Sequence, residues 1–192
     1  MKIGNIIKDT LIFLAITLVL VLILSIAKVI TEKPIETINH NMKMKAFNEV
    51  CPGYSSSERI SKDLVEIPDG TNATLYGDDT ILKCKNDKNE DIGYIVQTSS
   101  MGYGGPINII VGFDTEKNIL GVRFANLPQE TPGIGMKISN QNFLDSWINH
   151  NYENLSEVDT ISGATISSTA FSEAVTLASI IVNNIETIDG GE

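Results

Sequence analysis

Thiols and imidazoles are scarce in this chain of 192 residues. It has two cysteines, Cys51 and Cys84, and two histidines, His40 and His150. An iron–sulfur cluster held by cysteine needs more thiolates than that. Neither histidine is spaced with a cysteine as zinc ligands are, so no metal site is expected. The cysteines lie 33 residues apart without a CxxC partner. They read as two separate or buried thiols, with a disulfide open to them in an oxidising compartment. No Ser/His/Asp or Cys/His arrangement is recognisable, which argues against a hydrolytic site. Positive charge is also short: 14 Lys and Arg stand against 24 Asp and Glu, for a net charge of −10. Lys2, Lys8 and Lys28 against Asp9 make residues 1–30 net +2, which leaves 11 basic and 23 acidic residues, net −12, in the remainder. A body of that sign repels phosphate backbones, so nucleic acid is excluded as a partner. Internal repeats and low-complexity tracts are absent.

Against these absences stands one long apolar run. Thr10 to Ala27 is 18 residues without a charge. As a helix it spans roughly 27 Å, close to a hydrocarbon core, and Val29 and Ile30 extend it if Lys28 snorkels. The run is longer than a signal-peptide core and no Ala-x-Ala-like site follows it. It therefore reads as an uncleaved single-pass anchor in membrane lipid. Lysines flank both ends, so charge gives almost no orientation; the short tail before the helix places the domain on the outer face.

Beyond the anchor, Ile35, Ile38, Met42, Ala46 and Val50 repeat at a helical period. Pro34 suits the first turn of that helix and Pro52-Gly53 its end. Residues 53–72, with Ser55-Ser56-Ser57, read as loops. Strands are expected from about Ala73. Gly93 to Gln97 follows a polar turn at Lys85 to Asp91. Ile107 to Phe113 and Ile119 to Phe124 form a hairpin joined by Asp114 to Asn118. Asn140 to Asn149 reads as a helix with Phe143, Leu144, Trp147 and Ile148 on one side. A last helix uses Phe171, Val175, Ala178, Val182 and Ile185 and stops at Gly190-Gly191. The fold class is α+β, an antiparallel sheet with flanking helices behind a transmembrane helix.

Just before the last helix stands Asp159-Thr160-Ile161-Ser162-Gly163-Ala164-Thr165-Ile166-Ser167-Ser168. A helix start needs one capping hydroxyl, and this one offers several around Gly163-Ala164. The same free amides and helix dipole attract a phosphate, and Gly163 permits close approach. Cap and phosphate site both stay open on these residues alone.

The string Asp159-x-x-Ser162-Gly163-Ala164-Thr165 resembles the flavin-attachment motif of the FMN-binding domain. That domain occurs in the G subunit of the Rnf ferredoxin–NAD⁺ oxidoreductase complex and in the C subunit of the sodium-pumping NADH–quinone reductase. Gly102-Tyr103-Gly104-Gly105-Pro106-Ile107 and Glu130-Thr131-Pro132-Gly133-Ile134-Gly135 are similar to the family in the same order and at similar spacing. Taken separately, each of the two is an ordinary turn. The resemblance covers nearly the whole chain, and the second motif favours the Rnf relative.

The resemblance implies that Thr165 Oγ is joined to the FMN phosphate by a phosphoester made by a separate flavin transferase. Ser162, Gly163, Ala164, Ser167 and Ser168 would surround that phosphate. Asp159 would hold the turn or mark the acceptor for the transferase. Tyr103, Gly104, Glu130, Thr131, Gly133 and Gly135 would line the flavin, and Lys137 would face a reduced, anionic ring. Trp147 lies on an apolar helical face and is expected in the core. The implied domains are a tail at 1–9, a membrane helix at 10–30, a membrane-proximal helix and loops at 31–72, and the FMN-binding domain at 73–192. The implied function is electron relay, in a membrane-bound ion-translocating oxidoreductase, between ferredoxin and NAD⁺ through covalent FMN. Its partners would be other subunits of a redox complex at the cell membrane. The alternatives are the quinone-reductase subunit and, in another class, a flavin-free membrane-anchored interaction module.

Overall fold

The computed structural model describes residues 3–62, 65, 67, 68 and 70–185, with the backbone alone for 3–7 and 31–37. Its contacts separate two units, Met1–His40 and Asn41–Glu192. Helix α1 is a single element, Ile3–Val50. Both helical stretches expected from the sequence thus fall in one helix, and no break precedes Pro34. In the first unit, every side chain from Lys8 to Ile30 is exposed. That stretch has a mean hydropathy of 3.0 and is long and apolar enough to cross a membrane. Thr17 Oγ1 lies 3.0 Å from Phe13 O and 2.9 Å from Leu14 O, so the helix itself accepts the proton of its one mid-run hydroxyl.

The second unit is an antiparallel sheet with helices on both faces, an α+β architecture. Its strands are β1 (Ser56–Arg59), β2 (Thr74–Leu75), β3 (Ile81–Lys85), β4 (Asp91–Met101), β5 (Pro106–Phe113) and β6 (Ile119–Phe124). The order is β1-β3-β4-β5-β6, and β2 also pairs with β4. Strand β5 begins at Pro106, where a missing amide does least harm, and continues in β-branched residues. Ile107, Ile109, Val111 and Phe113 alternate onto one face, while Ile110 points to the other.

The first face is covered by α3 (Thr165–Asn184). Phe171, Val175, Ala178, Val182 and Ile185, the stripe read from the sequence, are all buried. Phe171 lies 5.6, 5.2 and 5.9 Å, centroid to centroid, from Phe124, Phe143 and Trp147. Trp147 is therefore core, as its helical face suggests. Helix α3 is also long and apolar enough to span a bilayer, but most of it is buried in the domain. The proposed stop at Gly190-Gly191 lies outside the described residues.

The second face is covered by residues 46–51 at the end of α1, which pack with Leu82, Cys84, Ile95, Ile110 and Ala125. Gly112 and Gly121 are directly paired across β5 and β6. A Cβ on Gly112 would lie 1.9 Å from Val50 O, so the helix end seats where the sheet has no side chain. Arg123 Nε donates to Glu49 Oε2 at 2.6 Å and fixes the same contact.

Two further readings differ from the structure. Residues 56–59 are a strand rather than loop. Strand β1 is wholly exposed, so it lacks the apolar alternation that marks a strand; its register on β3 and charged pairs such as Lys85–Glu58 hold it. The helix expected at 140–149 is shorter, α2 at Gln141–Asp145. Beyond it Asn149 adopts φ +65°, and its amide goes to Ile119 O at 2.9 Å while Ile119 N goes to His150 O at 2.8 Å. Pairing with the start of β6 outweighs continuation of the helix.

Candidate functional site

Three loops converge at one end of this domain. They are the β4–β5 turn at 102–105, the segment 130–135 after β6, and the turn 161–164 leading into α3. Glu130 joins them. Its side chain is buried, at 7% exposure. Oε2 accepts from Ser167 Oγ at 2.7 Å and Oε1 accepts from Gly104 N at 3.2 Å. A Cβ on Gly102 would fall 2.2 Å from Oε1, and one on Gly135 2.5 Å from Oε2. The glycines of two separate motifs thus leave the room that this carboxylate fills. A buried carboxylate needs such partners.

The start of α3 is built by a left-handed turn at Gly163, φ +80°. Ser168 Oγ closes that turn, accepting from Ile161 N at 3.1 Å and donating to Ala164 O at 3.0 Å. The N-cap residue is Ala164, and no side chain among the described residues caps the helix. The first amide to reach a main-chain carbonyl is that of Ser168, to Ala164 O at 2.9 Å. The amides of Thr165, Ile166 and Ser167 therefore face out of the helix end without a partner among the described residues. The hydroxyl-rich sequence suggests a capped end. Instead Ser167 serves Glu130, Ser168 serves the turn, and the cap position is empty.

In front of these amides opens a cleft of ≈ 400 Å³, within the roughly 300–1,000 Å³ of small-ligand pockets. Of the residues expected at the site, Tyr103, Thr131, Gly135, Gly163, Ala164, Thr165 and Ser167 line it. Glu130 is buried and Gly104 exposed, both outside the lining, and Ser168 is buried in the turn. Ser162, Asp159, Gly133 and Lys137 are exposed and outside the lining. Gly133 supplies a left-handed turn, φ +76°.

Ile134 and Ile166 also line the cleft and were not expected from the sequence. They are 52% and 57% exposed, and Tyr103 is 69% exposed. Ile166 stands off the buried stripe of α3, which is the signal that could have marked it. A second cleft of ≈ 480 Å³ lies across Thr165 and Ile166, with Asn72, Met101, Thr169, Ala170 and Glu173 on its far side. Thr165 therefore stands as a wall between two openings. Among the described residues, no lysine or arginine lines either one.

Residues 102–179 match the family description of the FMN-binding domain, a span that begins at the first glycine loop and ends within α3. The chain is similar to the G subunits of ion-translocating oxidoreductase complexes and carries a stretch that matches the FMN-binding domain. It is 27% identical over 126 residues to the G subunit of the ion-translocating oxidoreductase complex of Vibrio parahaemolyticus, covering 66% of this chain and 58% of that one. The protein of the same name from Salmonella typhi is 34% identical over 106 residues, 54% of this chain and 48% of that one. The G subunit of the Na(+)-translocating ferredoxin:NAD(+) oxidoreductase complex of Acetobacterium woodii is 26% identical over 193 residues, 93% and 92% of the two chains. The chain spans about half the length of the Vibrio and Salmonella relatives that it matches. A single N-terminal apolar helix and relatives from ion-translocating complexes fit a single-pass membrane protein.

Proposed function

We propose that this chain is an electron-transfer subunit of a membrane-bound, ion-translocating oxidoreductase, and that it holds FMN covalently through Thr165. Electrons would pass between ferredoxin and NAD⁺ by way of neighbouring redox subunits. One relative with nearly full-length coverage carries that reaction in its name. The division proposed is an anchor at 10–30 after a tail at 1–9, a connecting segment at 31–72 and the flavin domain at 73–192, on the outer face of the cell membrane.

The observation that carries the covalent reading is the mismatch at the α3 terminus. Three unpartnered amides and the helix dipole favour a phosphate there. Yet among the described residues no cationic side chain lines the cleft, the domain is acidic, and the Glu130 carboxylate lies just behind it. Ion-pair binding of a phosphate would be weak in such a site. A phosphoester on Thr165, an exposed hydroxyl on the cleft wall, removes the need for a cation.

When bound, FMN would supply the redox chemistry. The residues of the chain would do the rest. The Thr165, Ile166 and Ser167 amides would receive the phosphate oxygens. Tyr103, Ile134 and Ile166 offer apolar surface to a flat ring and shield it from water. Thr131 and Gly135 line the same cleft. Glu130, through Ser167 and Gly104, keeps the three loops in register. Asp159, exposed ahead of the turn, and Ser162, exposed within it, would be open to recognition by the transferase.

The test is co-expression with a flavin transferase, followed by a denaturing gel viewed under ultraviolet light. A fluorescent band in the wild type that disappears in Thr165→Ala is the expected result. A dark wild-type band, with the transferase active on another substrate, would overturn the flavoprotein reading in favour of an interaction module.

A further inference from the structure

The flavin site leaves the two cysteines unused, and they meet on the opposite face of the sheet. Cys51 directly follows α1 and Cys84 lies within β3; both are 0% exposed in one apolar cluster with Phe47, Val50 and Ile110. The chain path brings them together. Cys51 N bonds to Phe47 O at 3.0 Å and Tyr54 N to Cys51 O at 3.1 Å, which folds the chain back so that Ser55 N reaches Lys85 O at 2.9 Å. Ser57 is then paired with Cys84 in the register of β1 and β3. The two thiols lie within hydrogen-bonding reach of each other. The contact with Cys51 and then burial push the Cys84 thiol up, while the same contact holds the Cys51 thiol down.

We propose that Cys51 and Cys84 form a disulfide that fastens the end of α1 to strand β3. They are the only cysteines in the chain, so no other intramolecular pairing competes. The co-reactant is a disulfide, small-molecule or protein-borne, met while the α1 end is not yet seated. One cysteine thiolate attacks a sulfur of that disulfide and expels one thiolate. The second cysteine then attacks the mixed disulfide and expels the other. Two cysteine thiols lose two electrons, one external disulfide becomes two thiols, and the cysteine protons pass to the leaving thiolates. The bond closes a loop of 33 residues that includes the exposed edge strand β1, and so restrains the unfolded chain.

The test uses the full-length chain in detergent, equilibrated with glutathione buffers from reduced to oxidised through one unfolding and refolding cycle. It is then denatured, alkylated without reductant and digested for mass spectrometry. The expected result in oxidised buffer is a linked pair of peptides bearing residues 51 and 84. Reduction should lower the thermal midpoint by roughly 5–15 °C in the wild type and leave a Cys51→Ala/Cys84→Ala variant unmoved. The proposal is overturned if both thiols remain alkylatable at every ratio, or if only glutathione adducts form.

Discussion

Glycines do the same geometric work at two ends of this domain with opposite consequences. Under the end of α1, Gly112 and Gly121 leave a smooth patch into which Val50 settles, within an apolar cluster. At the other end Gly102, Gly104 and Gly135 also permit close approach, but what approaches is the Glu130 carboxylate and the backbone of Gln129. The first group holds a helix on a sheet. The second holds a charged group between three loops beside an open cleft. Close backbone contact is thus a structural device at one end and a site-building device at the other, and what fills the space decides which.

Substitutions that add one carbon separate the two most sharply. Gly112→Ala would put Cβ 1.9 Å from Val50 O, backbone that cannot simply swing away. It should cost about 3 kcal/mol of stability, read from denaturant unfolding, with flavin attachment intact in whatever remains folded. Gly104→Ala puts Cβ 1.8 Å from Gln129 O at the cleft end. It should cost less stability, about 1–2 kcal/mol since a surface loop can shift, yet largely abolish attachment. Equal losses of both properties in the two variants would erase the distinction.

Glu130 sharpens the second half of the comparison. Glu130→Ala leaves Ser167 Oγ and the Gly104 amide without their partner and should cost about 1–3 kcal/mol. Attachment should fall with it in a denaturing-gel fluorescence assay. Glu130→Gln keeps an acceptor for Gly104 and a partner for the rotatable Ser167 hydroxyl, and should restore most of the attachment. If Gln behaves like Ala, the charge rather than the bridging is what the site requires.

The smallest effect belongs to the α1 end. The hydrogen bond from Arg123, reinforced by its charge and partly opposed by burial, holds the Glu49 carboxyl below its ordinary range. A carboxylate depressed in the folded state contributes stability above its unfolded pKa and loses it as pH falls through the folded value. The pair is partly exposed, so the contribution is at most about 1 kcal/mol. Thermal midpoints compared between about pH 6 and pH 3 should therefore drop slightly more in the wild type than in Arg123→Ala. An identical pH dependence would show the pair to be energetically silent.

Periodicity made the packed half of this domain legible in advance. The stripe Phe171 to Ile185 predicts α3, and the apolar run at 107–113 with its return at 119–124 predicts β5 and β6, because burial leaves a repeating pattern. Strand β1 was not legible, since an edge strand of Ser-Ser-Glu-Arg buries nothing. The end of α2 was not legible either, because a main-chain bond to Ile119 decides it and main-chain bonds leave no mark on composition. At the site, the motif around Thr165 points to the helix terminus. What the residues could not show is that its serines face away from the cap. Ser167 turns to Glu130, thirty-seven positions earlier, and only the fold brings that partner close. Ile134 and Ile166 read as stray apolar residues until the cleft places them together.

The central claim is that the uncapped end of α3 holds flavin through one oxygen atom. Trypsin has no site from residue 138 to residue 192, so that stretch stays on one peptide. Fragmentation of that peptide, from protein matured with a flavin transferase, tests the claim most directly. An FMN adduct on Thr165 is expected, with Thr160, Ser162, Ser167, Ser168 and Thr169 unmodified. An adduct on any of those neighbours, or none on the peptide, would contradict it.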